Sequence, residues 1–412
     1  MPKVKDISLA EKGKASYEWA RANMIILEKT IEKYEKDRPL SGLKTALCLH
    51  VTKETSVLAM GLKRLGAEVS LCAANPLSTQ DEIAAFLATQ GIDVYAWRGE
   101  SNEEYYDNIR SVLNKKPHTI TDDGSDMHTM YHKEYINSFK PLGGTEETTT
   151  GVIRLKALER ENKLAYPVIA VNDAYTKYLF DNRYGTGQST LDGLLRATSL
   201  LLAGKTIVVV GYGWVGKGIA NRARGMSAKV IVTEVDPVKA LEAHMDGFMV
   251  MPMSEACKYA DIIITATGQK NVVREEHFKS MKDRVILANA GHFDVEIDIK
   301  WLEKNAKSKR KVREHVEEYL IDGKRIYLLT KGRVVNLVAA EGHPPEVMAL
   351  SFTNQLLSII YIVKDYSKLR NSVYKVPQEI DREVAFNALE AMNIKIDELT
   401  PEQLEYAKSW EV

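Results

Sequence analysis

The run KTIVVVGYGWVGKGIANRARG constrains this chain more than any other segment, because it joins an apolar strand, Thr206 to Val210, to a helix through a glycine-rich turn. Gly211, Gly213 and Gly216 form G-x-G-x-x-G there. The first glycine permits a tight turn, the second lets the backbone approach a pyrophosphate, and the third lets helix and strand pack closely, with the helix N-terminus aimed at the phosphates. Glu234 ends the next predicted strand, 18 residues beyond Gly216. A carboxylate there accepts hydrogen bonds from an adenosine ribose and repels a 2′-phosphate, so the unit is read as binding NAD in preference to NADP. Thr265 to Gly268 (TATG) and Asn289 to His292 (NAGH) each follow an apolar strand and are expected along the same carboxyl edge.

One such unit does not account for 412 residues, a length that predicts two or three domains with cores of their own. Ile7 to Lys36 has helical spacing and predicts one long helix or two. Thr45 to Val51 then reads as a buried strand, Lys53 to Leu65 as an amphipathic helix, Glu68 to Ala74 as a strand, Thr79 to Gln90 as a helix and Ile92 to Trp97 as a strand. The same grammar restarts with a helix at Thr190 to Leu202. Strands follow at Thr206 to Val210, Val230 to Thr233, Asp261 to Ala266 and Arg284 to Ala288. Strands alternating with helices of this length imply parallel, doubly wound sheets, and two α/β units are the economical reading. After Lys375 the chain is charged and helical, punctuated by Pro377 and Pro401, and reads as an extension without its own core.

Lys and Arg together number 56, as do Asp and Glu, so no net field exists to hold a nucleic acid or an anionic bilayer. Cys48, Cys72 and Cys257 are too few and too scattered for a disulfide framework or a metal knuckle. No metal is expected. The N-terminus has no continuous apolar core of the kind a signal peptide carries, and a cytoplasmic protein is expected.

Several polar clusters interrupt apolar surroundings: His50, Thr52 and Glu54 in ALCLHVTKET, Asp122, Asp123 and Asp126 in TDDGSD, and Glu146 to Gly151 in EETTTG. Lys177 and Asp181, four apart in TKYLFDN, read singly as a surface ion pair. Each of the others reads singly as a cap, a turn or a structural histidine. Together with NPLSTQD, GGTEETTTG, VNDAYTKYLFDNRYG, VVVGYGWVGKG, TEVDP, ANAGHFDVEID, VVNL and EGHP they occur in an order and at spacings that resemble the S-adenosylhomocysteine hydrolase (adenosylhomocysteinase) family, from about residue 40 to residue 400.

That resemblance implies reversible cleavage of S-adenosylhomocysteine to adenosine and homocysteine with one tightly held NAD per subunit and no net redox change. It assigns Lys177 to the 3′-hydroxyl proton, with a desolvated pocket expected to lower its pKa. Asp181 and Glu147 would hold the ribose hydroxyls beside Asn182. Asp123 and His50 would handle the C4′ proton and the leaving sulfur, and His292 the water step. Thr52, Glu54 and the loop at His343 would contact the base. Cofactor contacts would come from Thr148, Thr149, Thr150, Asn182, Gly213, Val215, Glu234, Asn271, Asn289 and Asn336. His292 and Phe293 correspond to a gate over the substrate channel, and relatives are mostly homotetramers.

The implied domains are a substrate domain at 1–182 completed by 343–375, an NAD domain at 183–342 and an extension at 376–412, with a two-segment hinge near Asn182 and His343. Thr186 stands where many relatives carry a cysteine, and Glu341 where many carry methionine. The sequence ends LEYAKSWEV where many relatives have a tail reaching a neighbouring NAD site, and looser NAD binding is expected on that account. Alternatives are an S-inosylhomocysteine hydrolase, an ordinary NAD-dependent dehydrogenase acting on a 2-hydroxy acid, and a regulatory NAD-binding protein without catalysis.

Overall fold

A computed structural model describes residues 2–410; the last two residues of the terminal LEYAKSWEV lie outside that range. The first sheet begins with β1 (Lys44–Leu49), β2 (Glu68–Ala73), β3 (Asp93–Tyr95), β4 (Thr119–Asp122), β5 (Gly143–Glu146) and β6 (Val168–Ala170). The second contains β7 (Thr206–Val210), β8 (Lys229–Thr233), β9 (Met249–Val250), β10 (Ile262–Thr265), β11 (Val285–Asn289), β12 (Ser308–Arg313), β13 (Val316–Ile321) and β14 (Lys324–Leu329). The chain then returns to add β15 (Val373–Lys375) to the first sheet.

The first sheet runs β3-β2-β1-β4-β5-β6-β15, with every pairing parallel. The second runs β9-β8-β7-β10-β11-β14-β13-β12. Both orders reverse direction beside their first strand, between β1 and β4 and between β7 and β10. Such a reversal opens a crevice at the carboxyl ends of the strands, where ligands bind in wound sheets. The central strands are mostly apolar and almost wholly buried because helices cover both faces.

One part of the second sheet departs from the all-parallel expectation. β13 pairs antiparallel with both β12 and β14. The signal was present in the sequence: Asp322-Gly323 between VEEYLI and KRIYLL is a two-residue hairpin turn, and both residues take positive φ, 48° and 79°.

The helical stretch Pro345–Lys368 is long and apolar enough to cross a bilayer, yet most of its apolar residues are packed inside the protein. Ala349, Phe352, Leu356, Ile359 and Ile360 join Leu27, Ile31, Leu47, Leu49 and Leu58 in one core beneath the first sheet. Val384 and Ala388 of the helix Gln378–Ala391 enter the same core, so this part of the extension packs on the first domain.

Candidate active site

The carboxyl edges of the two sheets line one cavity of about 1520 Å³, larger than the roughly 300–1,000 Å³ that holds a single small ligand. From the first sheet come His50 after β1, Asp123 after β4, Glu147 after β5 and Lys177 beyond β6. From the second come Gly211 to Gly213 after β7, Glu234 after β8, Thr267 and Gly268 after β10 and His292 after β11. The space suits a dinucleotide with a second ligand beside it.

Lys177 sits on a single helical turn, Tyr175–Tyr178, and Asp181 begins a wider π-helical turn, Asp181–Gly185. Both are buried, contrary to the surface ion pair their spacing suggests. Lys177 Nζ donates to Asp181 Oδ1 at 3.1 Å and Asn182 Oδ1 at 2.8 Å, and lies 3.6 Å from Glu147 Oε1. Glu147 accepts from Ser351 Oγ and, at 2.6 Å, from Gln355 Nε2, both on the helix Pro345–Asp365. The pKa expected for Lys177 needs correction. Burial pulls it down, but the charges of Asp181, Glu147 and Asp123 outweigh burial and hold the ammonium above the ordinary lysine range. Burial in turn pushes Glu147 up to about 7 against the pull of Lys177. Asp181, raised by burial, is brought net below its usual value by Lys177 and His343.

Asp123 stands between two imidazoles: Oδ2 is 3.6 Å from His50 Nε2 and Oδ1 is 3.7 Å from His292 Nδ1. These separations exceed hydrogen-bond length and leave the carboxylate free to meet a substrate atom. The donor atoms of the three residues lie within 4.8 Å of one another, close enough to exchange a proton through that atom or to hold a divalent ion. Burial lowers His50 to about 4, so it is neutral at pH 7 and able to take up a proton; Ser78 Oγ holds its Nδ1 at 2.7 Å.

The turn bearing Asp123 is fastened from behind. Asp122 accepts from the Asp123 and His128 N–H groups, and Glu146 accepts from Gly124 N–H, Thr148 N–H and Ser125 Oγ. Glu146 thereby ties the Asp123 turn to the Thr148–Thr150 segment, a link with no local sequence signature. His128 near Asp122 and Glu146 is structural, both ring nitrogens being engaged by Tyr166 OH and Thr145 O.

At the other end of this half, Thr52 caps the helix Lys53–Arg64 and Glu54 lies in its first turn. Glu54 Oε1 is buried without a hydrogen bond, although Lys53 Nζ is 3.2 Å away. Glu341 bridges Lys53 at 3.1 Å and Arg196 at 3.2 Å, which joins the two halves of the protein beside the returning segment. Thr186, at the position of the missing cysteine, holds His343 Nε2 at 2.9 Å. His292 and Phe293 pack edge to face at 4.7 Å, with the Arg154 guanidinium 5.6 Å from the Phe293 ring.

The second sheet's half has the shape a dinucleotide requires. Gly211 takes φ +98°, and a Cβ on Gly216 would stand 1.9 Å from the Gly211 carbonyl oxygen. Glu234 accepts from Tyr212 N–H at 2.7 Å, which brings its carboxylate against the glycine turn. Asn336 Oδ1 is buried and unpartnered, with its amide bonded to Ser189 Oγ. Thr148, Thr149, Thr150, Asn182, Gly213, Val215, Glu234 and Asn336 all line the cavity; Gly216, Asn271 and Asn289 do not. Asn289 Nδ2 donates to the Gly291, Phe293 and Gly332 carbonyls, and Oδ1 accepts from Thr265 and Gly291. It shapes the NAGH loop from behind. Asn271 lies in the loop beyond β10 at φ +53°, its N–H bonded to Val295 O.

Glu296 has no local sequence signature, because its partners lie 28–29 residues away. Buried, it accepts from Thr267 N–H, Thr267 Oγ1 and Gly268 N–H and so fixes the TATG loop. Gly216→Ala offers a direct test of the glycine turn. Because a backbone oxygen cannot yield, the substitution is expected to cost about 1–3 kcal/mol and to lower NAD retained on purification, both measurable by thermal unfolding and nucleotide content.

Comparison with known proteins gives two family matches: S-adenosyl-L-homocysteine hydrolase over residues 2–142, and the NAD binding domain of S-adenosyl-L-homocysteine hydrolase over residues 182–342. The adenosylhomocysteinase of Sulfurisphaera tokodaii is 60% identical over 409 residues, covering 99% of this chain and 98% of that protein. That of Aquifex aeolicus is 58% identical, covering 99% of each. The S-inosyl-L-homocysteine hydrolase of Methanopyrus kandleri is 56% identical, covering 99% of this chain and 97% of its own length.

Proposed function

The chain belongs to the S-adenosyl-L-homocysteine hydrolase family, and from that premise we propose that it splits S-adenosyl-L-homocysteine reversibly into adenosine and L-homocysteine. The observation that carries this reading is Lys177, buried among Glu147, Asp181 and Asn182 in the cavity that also contains the G-x-G-x-x-G turn.

The thioether at C5′ is a poor leaving group. Bound NAD supplies a reversible oxidation at C3′, which acidifies the C4′ proton and allows the thiolate to depart. Lys177 receives the 3′-hydroxyl proton. In the arrangement described, its carboxylate neighbours keep it protonated, but ribose hydroxyls donating to Glu147 and Asp181 draw off part of that charge. The ammonium must first give up its own proton, and Glu147, which burial pushes up to about 7 and which lies 3.6 Å from Nζ, can take it, leaving the amine that accepts from the 3′-hydroxyl. Asp123 takes the C4′ proton, the sulfur leaves as a thiolate hydrogen-bonded by the ring N–H of neutral His50, and His292 directs water to C5′. Closure at Asn182 and His343 keeps bulk water from the keto intermediate.

Glu54 Oε1 is buried and, beyond its ion pair with Lys53 Nζ at 3.2 Å, makes no hydrogen bond among the described residues, which leaves a lone pair for a donor on the base. The exocyclic amine of adenine offers one and the carbonyl of hypoxanthine does not. S-adenosylhomocysteine is expected to exceed S-inosylhomocysteine by about 10²-fold or more in kcat/KM, read by thiol release with both nucleosides side by side. Preference for the inosyl substrate would instead make this chain an S-inosyl-L-homocysteine hydrolase, as the Methanopyrus relative is named. Net NADH accumulation without thiol release would replace it with an ordinary dehydrogenase. A cytoplasmic homotetramer with one NAD per subunit completes the proposal, tested by sedimentation and nucleotide content of the purified protein.

A further inference from the structure

The four-residue helix that carries Lys177 is too short to hold itself together, and its first N–H groups have no partner within the helix. Both are met from a segment 205 residues away. Asp381, on the helix Gln378–Ala391, accepts from Tyr175 N–H at 2.7 Å through Oδ2 and from Thr176 N–H at 2.8 Å through Oδ1. Thr176 Oγ1 also donates to Asp381 Oδ1, at 2.5 Å, and accepts from Asn354 Nδ2 at 2.8 Å. Asn354 donates its second proton to Leu350 O at 3.0 Å. Each donor in this network has an acceptor, while Asn354 Oδ1 is buried without a hydrogen-bond partner. Asp381 is 8% exposed, Thr176 6% and Asn354 0%.

We infer that Asp381 is a positioning residue for Lys177: by capping the helix Tyr175–Tyr178, the carboxylate sets where the Lys177 amine stands against Asp181, Asn182 and Glu147. The same face of the helix Pro345–Asp365 serves both sides of that contact. Ser351 and Gln355 hold Glu147, while Asn354, one position before Gln355, holds Thr176. A rigid helix thus fixes the carboxylate, and the C-terminal extension fixes the helix bearing the lysine. The inference rests on the function proposed for Lys177 and adds a residue to it.

Asp381→Asn keeps the volume but turns one acceptor into a donor facing an N–H group. The rate of bound-NAD reduction by adenosine is expected to fall on the order of 10²-fold, the size of loss that misplacement by about an ångström produces. KM and NAD content should stay within about threefold. Amide hydrogen exchange should accelerate at Tyr175 and Thr176 and remain unchanged around β7. Asn354→Leu removes one contact of the chain and should give a smaller loss of the same kind.

In a folded variant, a reduction rate within about threefold of the parent, or a loss fully accounted for by missing NAD, overturns the inference. If Asp381→Asn does not fold, Asn354→Leu is judged by the same criteria. A parent protein that cannot reduce its NAD with adenosine sinks the proposed function itself. An active parent with equally active variants sinks only the role of Asp381.

Discussion

Lys177→Arg leaves a folded, NAD-loaded protein in which adenosine no longer reduces the cofactor, with the rate down by about 10³-fold or more, in the range that loss of a general base produces. Arginine is the informative substitution because it keeps the positive charge among Glu147, Asp181 and Asp123 while remaining protonated at every working pH. Lys177→Ala should block the same step, but it also strips the only ammonium from a buried acidic cluster. Removing one partner of a buried pair costs about 3–5 kcal/mol. Here the cost is moderated because Glu147, already pushed up to about 7 by burial, can take up a proton. Absorbance near 340 nm after adenosine addition reads the outcome for both variants. If the arginine variant reduced NAD at the parent rate, proton acceptance by Lys177 would have to be abandoned.

Asp123→Asn separates the later chemistry from the first step. Adenosine should still reduce bound NAD within about tenfold of the parent rate, whereas exchange of the C4′ proton with solvent and thiol release should fall by about 10²–10⁴. The backbone around Asp123 gives this prediction its force. Its N–H donates to Cys48 O at 3.0 Å and to Asp122 Oδ1 at 2.9 Å, so the position is held whichever side chain it carries. The amide is nearly the same size as the carboxylate but cannot accept a proton between His50 and His292. Deuterium incorporation at C4′, followed in parallel with NAD reduction, distinguishes the two steps. Equal loss of both would show that Asp123 serves the oxidation as well.

The glycine turn, the strand before it and the acid at Glu234 were legible because each acts within a few dozen residues. Position 216 needs glycine because the Gly211 carbonyl crosses it five residues back in the chain. The wound sheets were legible for the same reason, since apolar strands and amphipathic helices carry their periods locally. The β13–β14 hairpin is also written locally, in Asp322-Gly323. Lys177 and Asp181 were different. Their four-residue spacing describes a surface pair, and only the cover provided by the helix Pro345–Asp365 makes them a buried cluster.

By itself, then, the sequence determined two wound α/β units, the loops at their carboxyl edges and the family to which those loops belong. Tertiary structure decided which of those loops share a cavity, and it set the charge their side chains carry. Ser351 reaches Glu147 across 204 residues and Asp381 reaches Thr176 across 205. No local period encodes such pairs. A hydrogen bond's partner and a carboxyl group's pKa depend on what lies within a few ångströms, and folding alone brings those neighbours together.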